Sequence, residues 1–162
     1  MNSTLERLRE LGYELPAAPP ALASYVPTRL VPIGEGRALL FVAGQVPRQD
    51  GALLTGRVPD QANLEEARQA AKVCALNVLA QIEAAAGLDQ VEQFAQLTGY
   101  VESAEGFGQQ PEVVDAASDL IVEVLGERGR HTRAAVGTNA LPRNVSVEIA
   151  AVVVVRVGPG GD

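Results

Sequence analysis

Arg133 and Glu148 are the residues whose types and spacing could do chemistry; they flank the Leu141-Pro142 turn within RHTRAAVGTNALPRNVSVEIAAVVVV. A planar guanidinium can grip a carboxylate through two parallel charge-assisted hydrogen bonds. A carboxylate can position a water and relay its proton. Between positions 145 and 157 the odd residues Val145, Val147, Ile149, Ala151, Val153, Val155 and Val157 form an apolar face at the period of two of a strand. The even face begins polar with Ser146 and Glu148 and turns apolar at Ala150, Val152 and Val154. A strand of this kind is covered on both sides, by its own helices on one and by another subunit on the other, with Glu148 where it passes from wet to buried. Residues 132–137 read as a second strand, and Pro142 favours a turn and excludes a central ladder position. If the two strands are adjacent, Arg133 and Glu148 share one sheet face. An Arg and a Glu on neighbouring strands are more often a structural ion pair than a catalytic one, so spacing alone leaves both roles open.

The elements that must position these residues are legible along the chain. Ser3 and Glu6 form a capping box for a short, charged, peripheral helix ended by Gly12. The Pro-rich run ELPAAPPALASYVP reads as an ordered arm. Residues 30–33 and 38–44 read as strands around a Gly34-Glu35-Gly36 turn, and Gly44 inside the second marks a bulge or a close approach by another group. Asn63 and Glu66 cap a long helix over 64–86 whose stripe of Ala67, Ala71, Cys74, Val78 and Ile82 faces a sheet. Cys74 belongs to that stripe as a small core residue. A strand over 90–103 follows, with Phe94 and Leu97 directed to the core, and Pro111 opens a helix that runs to Leu125 and ends at Gly126. The expected fold is α+β, one mixed sheet with two helices packed on one face and an extra short N-terminal helix. Its expected divisions are an extension over 1–18, a domain over 19–157 and a frayed tail over 158–162.

Composition narrows the class. The chain has 162 residues, enough for one domain with a sizeable core, and lacks Trp, so Val, Leu, Ile and Ala must build that core. A single Cys excludes an internal disulfide framework, no apolar run approaches the roughly 20 residues of a membrane-spanning helix, and the N-terminus lacks secretory features. A soluble, cytoplasmic protein is expected. The lone His131 shares a strand face with Arg133 and cannot by itself make a metal site, so a cleft-lining or structural role is open to it. Gly34 and Gly36 form no phosphate loop.

The run RAAVGTNALPRNVSVEIAA resembles the C-terminal signature of the Rid family of imine deaminases, also described as YjgF-like or endoribonuclease L-PSP-like. Arg133, Leu141, Pro142, Val147, Glu148 and Ile149 fall in matching order; FVAGQVPRQDGAL resembles the family's Ser-Gly-Gln segment, and Tyr25 its early Tyr. The likeness extends over residues 19–155. It implies a chorismate mutase-like fold and a homotrimer with clefts between subunits. It also implies hydrolysis of 2-imino acids to 2-keto acids and ammonia with no metal or cofactor, Arg133 as carboxylate anchor and Glu148 as water-positioning acid/base. Tyr25, Ala43, Gly44, Gln45, Glu105 and Ala135 are carried by resemblance as cleft-lining positions. Three depart from the family pattern: Ala43 for Ser, Ala135 for Cys, and Glu105 near a family Asn.

Two other functions stay open beside imine hydrolysis. One is a non-catalytic trimeric binder of small carboxylate metabolites. The other is an endoribonuclease, disfavoured by a net charge of −7 and an Arg128, Arg130 and Arg133 group that is the only dense basic patch. No nucleic-acid or membrane partner is expected.

Overall fold

The structure, a computed structural model, describes residues 3–158. The expected frayed tail lies, from residue 159 on, outside the described residues. Helix α1 (Thr4–Glu10) opens on the Ser3–Glu6 capping box. Strands β1 (Thr28–Gly34) and β2 (Arg37–Gln45) form a hairpin, and a small hairpin of β3 (Arg48–Gln49) and β4 (Ala52–Leu53) follows. Helix α2 (Leu64–Ala85) starts on a reciprocal Asn63–Glu66 box, as its sequence requires. Then come β5 (Val91–Glu102), α3 (Gln110–Leu125), β6 (Thr132–Thr138) and β7 (Val147–Arg156).

The large sheet has the order β1-β2-β7-β5-β6, antiparallel except for the parallel pair β5 and β6. Parallel neighbours need a crossover, which α3 supplies. The result is the expected α+β architecture, a mixed sheet with α2 and α3 on one face. The β3–β4 hairpin had no clear sequence signal because strands of two residues carry no periodicity.

β6 and β7 are consecutive in the chain but not adjacent in the sheet, so the condition for a face shared by Arg133 and Glu148 is not met. Both edges of β7 are already taken, by β2 and β5, so β6 lies beyond β5 at the sheet edge. The short connection through the Leu141-Pro142 turn therefore spans one intervening strand.

The odd face of β7 is the floor of the core: Val147, Ile149, Val153 and Val155 are fully buried beneath the helices. The stripe Ala67, Ala71, Cys74, Val78 and Ile82 of α2 is likewise buried, and small side chains let the helix come close. The Cys74 thiol lies 3.6 Å from the Val147 carbonyl, and burial, with the charge of Glu148, pushes its pKa well up, as befits a core residue. The even positions of β7 are half-buried, and the face they share exposes Phe41, Tyr100 and Val136. Helix α1 is less peripheral than its charges suggest: Leu8 enters the core, and the Thr4 hydroxyl donates to Asp89 at 2.6 Å.

Gly99 of β5 sits where α3 crosses closest. A Cβ there would lie 2.6 Å from Val114 Cγ2 and 3.0 Å from Cγ1, both on a branched side chain with little freedom. Gly99→Ala is expected to destabilise by ~1–3 kcal/mol through overpacking and to lower the melting temperature by roughly 3–10 °C. A thermal melt at the wild-type value would show that the helix can ride outward freely.

Candidate functional site

The register of β2 on β7 breaks between Val42 and Gln45, so Ala43 and Gly44 form a bulge opposite Ala150. Glu148 lies over that bulge. A Cβ on Gly44 would sit 2.9 Å from the Glu148 Cδ and 3.0 Å from Oε1, so glycine is what lets the carboxylate lie against the backbone of β2. The close approach expected at Gly44 is thus made by the acidic side chain itself.

Around this carboxylate is a pocket of about 780 Å³, lined by the arm from Pro19 to Pro27, the bulge, Leu53, Tyr100, the turn at Pro142 and Arg143, Val145 and Ala150. Its charged lining residues are Arg48, Arg143 and Glu148. Glu148 has no hydrogen-bond or ion-pair partner among the described residues, and burial raises its pKa from the ordinary glutamate value. A half-desolvated carboxylate without a cation is a proton acceptor poised closer to neutrality than a surface glutamate.

The arm is held from below. Gln81 of α2 donates to the Pro19 carbonyl at 2.6 Å and reaches the Gln45 side-chain oxygen at 3.3 Å, while the Gln45 amide donates to the Ala43 carbonyl at 3.0 Å. Gln45 is buried, with its amide committed to shaping the bulge. Tyr25 is half exposed, and its hydroxyl accepts from the Leu22 amide at 3.4 Å.

Five of the positions singled out in the sequence, Tyr25, Ala43, Gly44, Gln45 and Glu148, line this one pocket. Arg133 does not. It pairs in register with Leu97 on the helix-covered face, whereas Glu148 pairs with Tyr100 on the open face. Leu97 and Tyr100 are three apart on one strand and point oppositely. Within one chain Arg133 and Glu148 are therefore on opposite sides of the sheet; a shared face depended on the two strands being adjacent, and they are not. Arg133 is bound to α3 by Asp115 at 2.8 Å, the Ser118 hydroxyl at 3.1 Å and the Pro111 carbonyl at 3.2 Å.

His131 belongs to that same cluster. The Gly129 carbonyl, 2.6 Å from its Nδ1, can only accept, so Nδ1 carries the proton and Nε2 accepts from the Ser118 hydroxyl at 2.9 Å. The Ser118 oxygen is left to accept from Arg133, which makes His131 a structural support of the arginine and not a lining residue of the pocket. Ala135 faces the helices beside Gly99, and Glu105 is exposed in a turn; neither lines the pocket. The buried acid of that region is Glu102, whose Oε1 accepts from the Leu141 amide at 2.9 Å while its Oε2 has no partner. Ser146, expected on a wet face, is buried and donates to the Gly56 carbonyl.

Tyr100, Arg48 and Arg143 were not found from sequence. Tyr100 had a signal, being an aromatic at an even position of β5 among Gln96, Thr98 and Glu102. The two arginines had none, because they reach the pocket through loop geometry.

The sequence profile described as "YjgF/chorismate_mutase-like, putative endoribonuclease" matches residues 5–154. The chain belongs to the YjgF/RidA family. It is 40% identical over 149 residues, 90% of each chain, to Protein TCP17 of Trypanosoma cruzi. The crystal structure of Atu1372 from Agrobacterium tumefaciens, of unknown function, superposes with a TM-score of 0.83 at 42% identity over 94% of this chain and 93% of that one. Escherichia coli TdcF, solved with bound serine, gives a TM-score of 0.61 at 26% identity over 86% of this chain and 93% of its own. Within this YjgF/RidA chain no helix among the described residues is long and apolar enough to cross a membrane.

Because the Glu148 pKa is raised in the fold, its protonated form favours the folded state below the unfolded-state pKa, and that contribution is lost as pH rises through the folded value. Glu148→Gln is therefore expected to melt ~1–3 °C above wild type at pH 8. The gain should shrink as pH falls into the carboxylate range; an equal gain at every pH would mean that charge is not its cause. Gly44→Ala meets only the end of a flexible side chain, so its melting temperature should stay within about 3 °C of wild type while the carboxylate is pushed from its seat. Restored ionisation behaviour of Glu148 in that variant, read by carboxyl NMR titration, is the expected sign; an unchanged titration would show that the bulge does not seat it.

Proposed function

We propose that this chain hydrolyses 2-imino acids to 2-keto acids and ammonia, with Glu148 as the acid/base. The observation that carries the reading is the partnerless, half-buried Glu148 carboxylate in a pocket with a mixed apolar and cationic wall. As the water oxygen bonds to the iminium carbon, its proton passes to Glu148 and the C–N π pair moves to nitrogen, giving a carbinolamine. Glu148 returns the proton to that nitrogen, the C–N bond breaks, and the carbinolamine oxygen forms the ketone as its proton joins the departing ammonia. The sum is iminium plus water to ketone plus ammonium, with no oxidant or metal required.

Arg133 as carboxylate anchor requires a second copy, because it lies across the sheet from Glu148 of its own chain. Strand β6 is an edge, and the open face around Tyr100, Phe41 and Val136 is apolar enough to be covered by another subunit. In the proposed homotrimer, Arg133 and Ala135 of one copy meet the Glu148 pocket of the next, completing a cleft for a small carboxylate substrate in the cytoplasm. Arg133 keeps its Nε–H and one Nη1–H for a ligand while Asp115, the Pro111 carbonyl and the Ser118 hydroxyl hold the rest of its fork.

A non-catalytic binder of carboxylate metabolites is the second reading. The serine bound to TdcF, an amino acid with a free carboxylate, speaks for a family pocket of that chemistry. A ribonuclease has less support: Arg128 donates to the Val91 carbonyl, Arg130 pairs with Glu127 and Arg133 with Asp115, in a chain of net charge −7.

The test is ammonia and keto-acid release from freshly generated 2-iminopropanoate and 2-iminobutanoate. Wild type should accelerate both, and Glu148→Gln should lose ~10²–10⁴-fold, the usual share of a general base. Arg133→Ala should raise KM more than it lowers kcat. No acceleration by a folded oligomer would overturn hydrolysis in favour of the binder.

A further inference from the structure

Among the unpaired cations of the described residues, Arg143 is set apart by its backbone and by its place in the pocket lining. It is exposed, it has neither hydrogen bond nor ion pair among the described residues, and its backbone is held in the left-handed region at φ 57°, followed by Asn144 at the same angle. Two consecutive non-glycine residues there are costly unless the surroundings enforce them. The enforcement is visible on both sides of the turn. Glu102 accepts from the Leu141 amide, the Asn144 amide donates to the Leu141 carbonyl at 3.1 Å, and the Asn144 carbonyl accepts from Gly56 at 2.8 Å. The Asn144 side chain adds a contact to Gln61 at 3.4 Å. This strained turn places Arg143 in the lining of the Glu148 pocket.

Arg48 lines the same pocket from the β3–β4 hairpin, and its hydrogen bond to the Gly51 carbonyl is long, 3.5 Å. The chain carries 13 Lys and Arg against 20 Asp and Glu, yet this pocket sets two arginines against one carboxylate. Two guanidiniums against one carboxylate leave a net +1; with the carboxylate beside the imine carbon assigned to Arg133 of a neighbouring copy, that charge is left for a second carboxylate on the ligand. Arg133 of the same chain plays no part in it, being on the other side of the sheet.

We infer that the pocket is built for dicarboxylic ligands, with Arg143, assisted by Arg48, holding a side-chain carboxylate additional to the one beside the imine carbon. The substrate class is then 2-imino acids derived from acidic amino acids, with the reacting carbon near Glu148 and the second carboxylate at the Arg143 rim. This assignment rests on the imine-hydrolysis reading for its reaction but not for its binding, and the two are tested separately.

Imino acids freshly generated from aspartate and glutamate are compared with those from alanine and 2-aminobutyrate. Wild type is expected to favour the dicarboxylic pair at least tenfold in kcat/KM. Arg143→Ala should reduce that ratio at least tenfold, and Arg143→Lys, which keeps a point charge, should retain part of it. In parallel, calorimetry measures succinate and glutarate against butyrate. Dicarboxylates that bind at least tenfold more tightly, with the advantage lost in Arg143→Ala, would sustain the inference even where no imine is turned over. A ratio near one in wild type, in both turnover and binding, overturns it. So does a wild-type preference that survives in both Arg143→Ala and Arg48→Ala.

Discussion

Strand β7 is paired on both edges and buried along its odd face, and the rest of the molecule is arranged by that constraint. Pairing with β2 and β5 leaves β6 the sheet edge, and the apolar odd residues draw α2 and α3 onto one side. With a period of two, that burial fixes the other set of side chains on the open face, Glu148 among them. A slip of one residue would exchange the faces and drive the carboxylate into the core, so the register of β7 and the place of the acid are one and the same requirement.

The acid is then conditioned by its immediate neighbours. The bulge at Ala43 and Gly44 removes both a ladder pairing and a side chain, and the space admits the carboxylate against the backbone of β2. Burial without a compensating cation raises its pKa, whereas an ion pair would have lowered it. Gln45 and Gln81 take no part in this electrostatically; they tie the Pro-rich arm and the bulge to α2, so the pocket wall is anchored to the core. Arg48 and Arg143 stand farther out, where they can meet charge on a ligand without neutralising Glu148 in advance.

Arg133 follows a different logic. Its guanidinium joins β6 to α3 through Asp115, Ser118 and the Pro111 carbonyl, with His131 fixing the serine hydroxyl. In a single chain this is a structural clamp at the sheet edge. A role on a ligand above Glu148 belongs to a neighbouring copy, and the exposed apolar surface of the open face gives such a copy a place to sit.

Periodicity and capping made most of the fold legible. The alternation from Val145 to Val157, the stripe on α2, the Asn63–Glu66 box and the Pro111 to Gly126 helix are local patterns, and local backbone preferences enforce them. Gly44 was legible for the same reason, since glycine inside a strand signals close approach. Which strands are neighbours was not, because sheet order depends on long-range pairing, and β5 entered between two strands that are consecutive in the chain. The sequence by itself determined the long strands and helices, the face on which Glu148 stands and the family likeness that picked out its pocket. Only the tertiary structure decided that Arg133 lies across the sheet and that Arg48 and Arg143 line the pocket of the acid, because these depend on strand order and turn geometry, which no periodicity encodes.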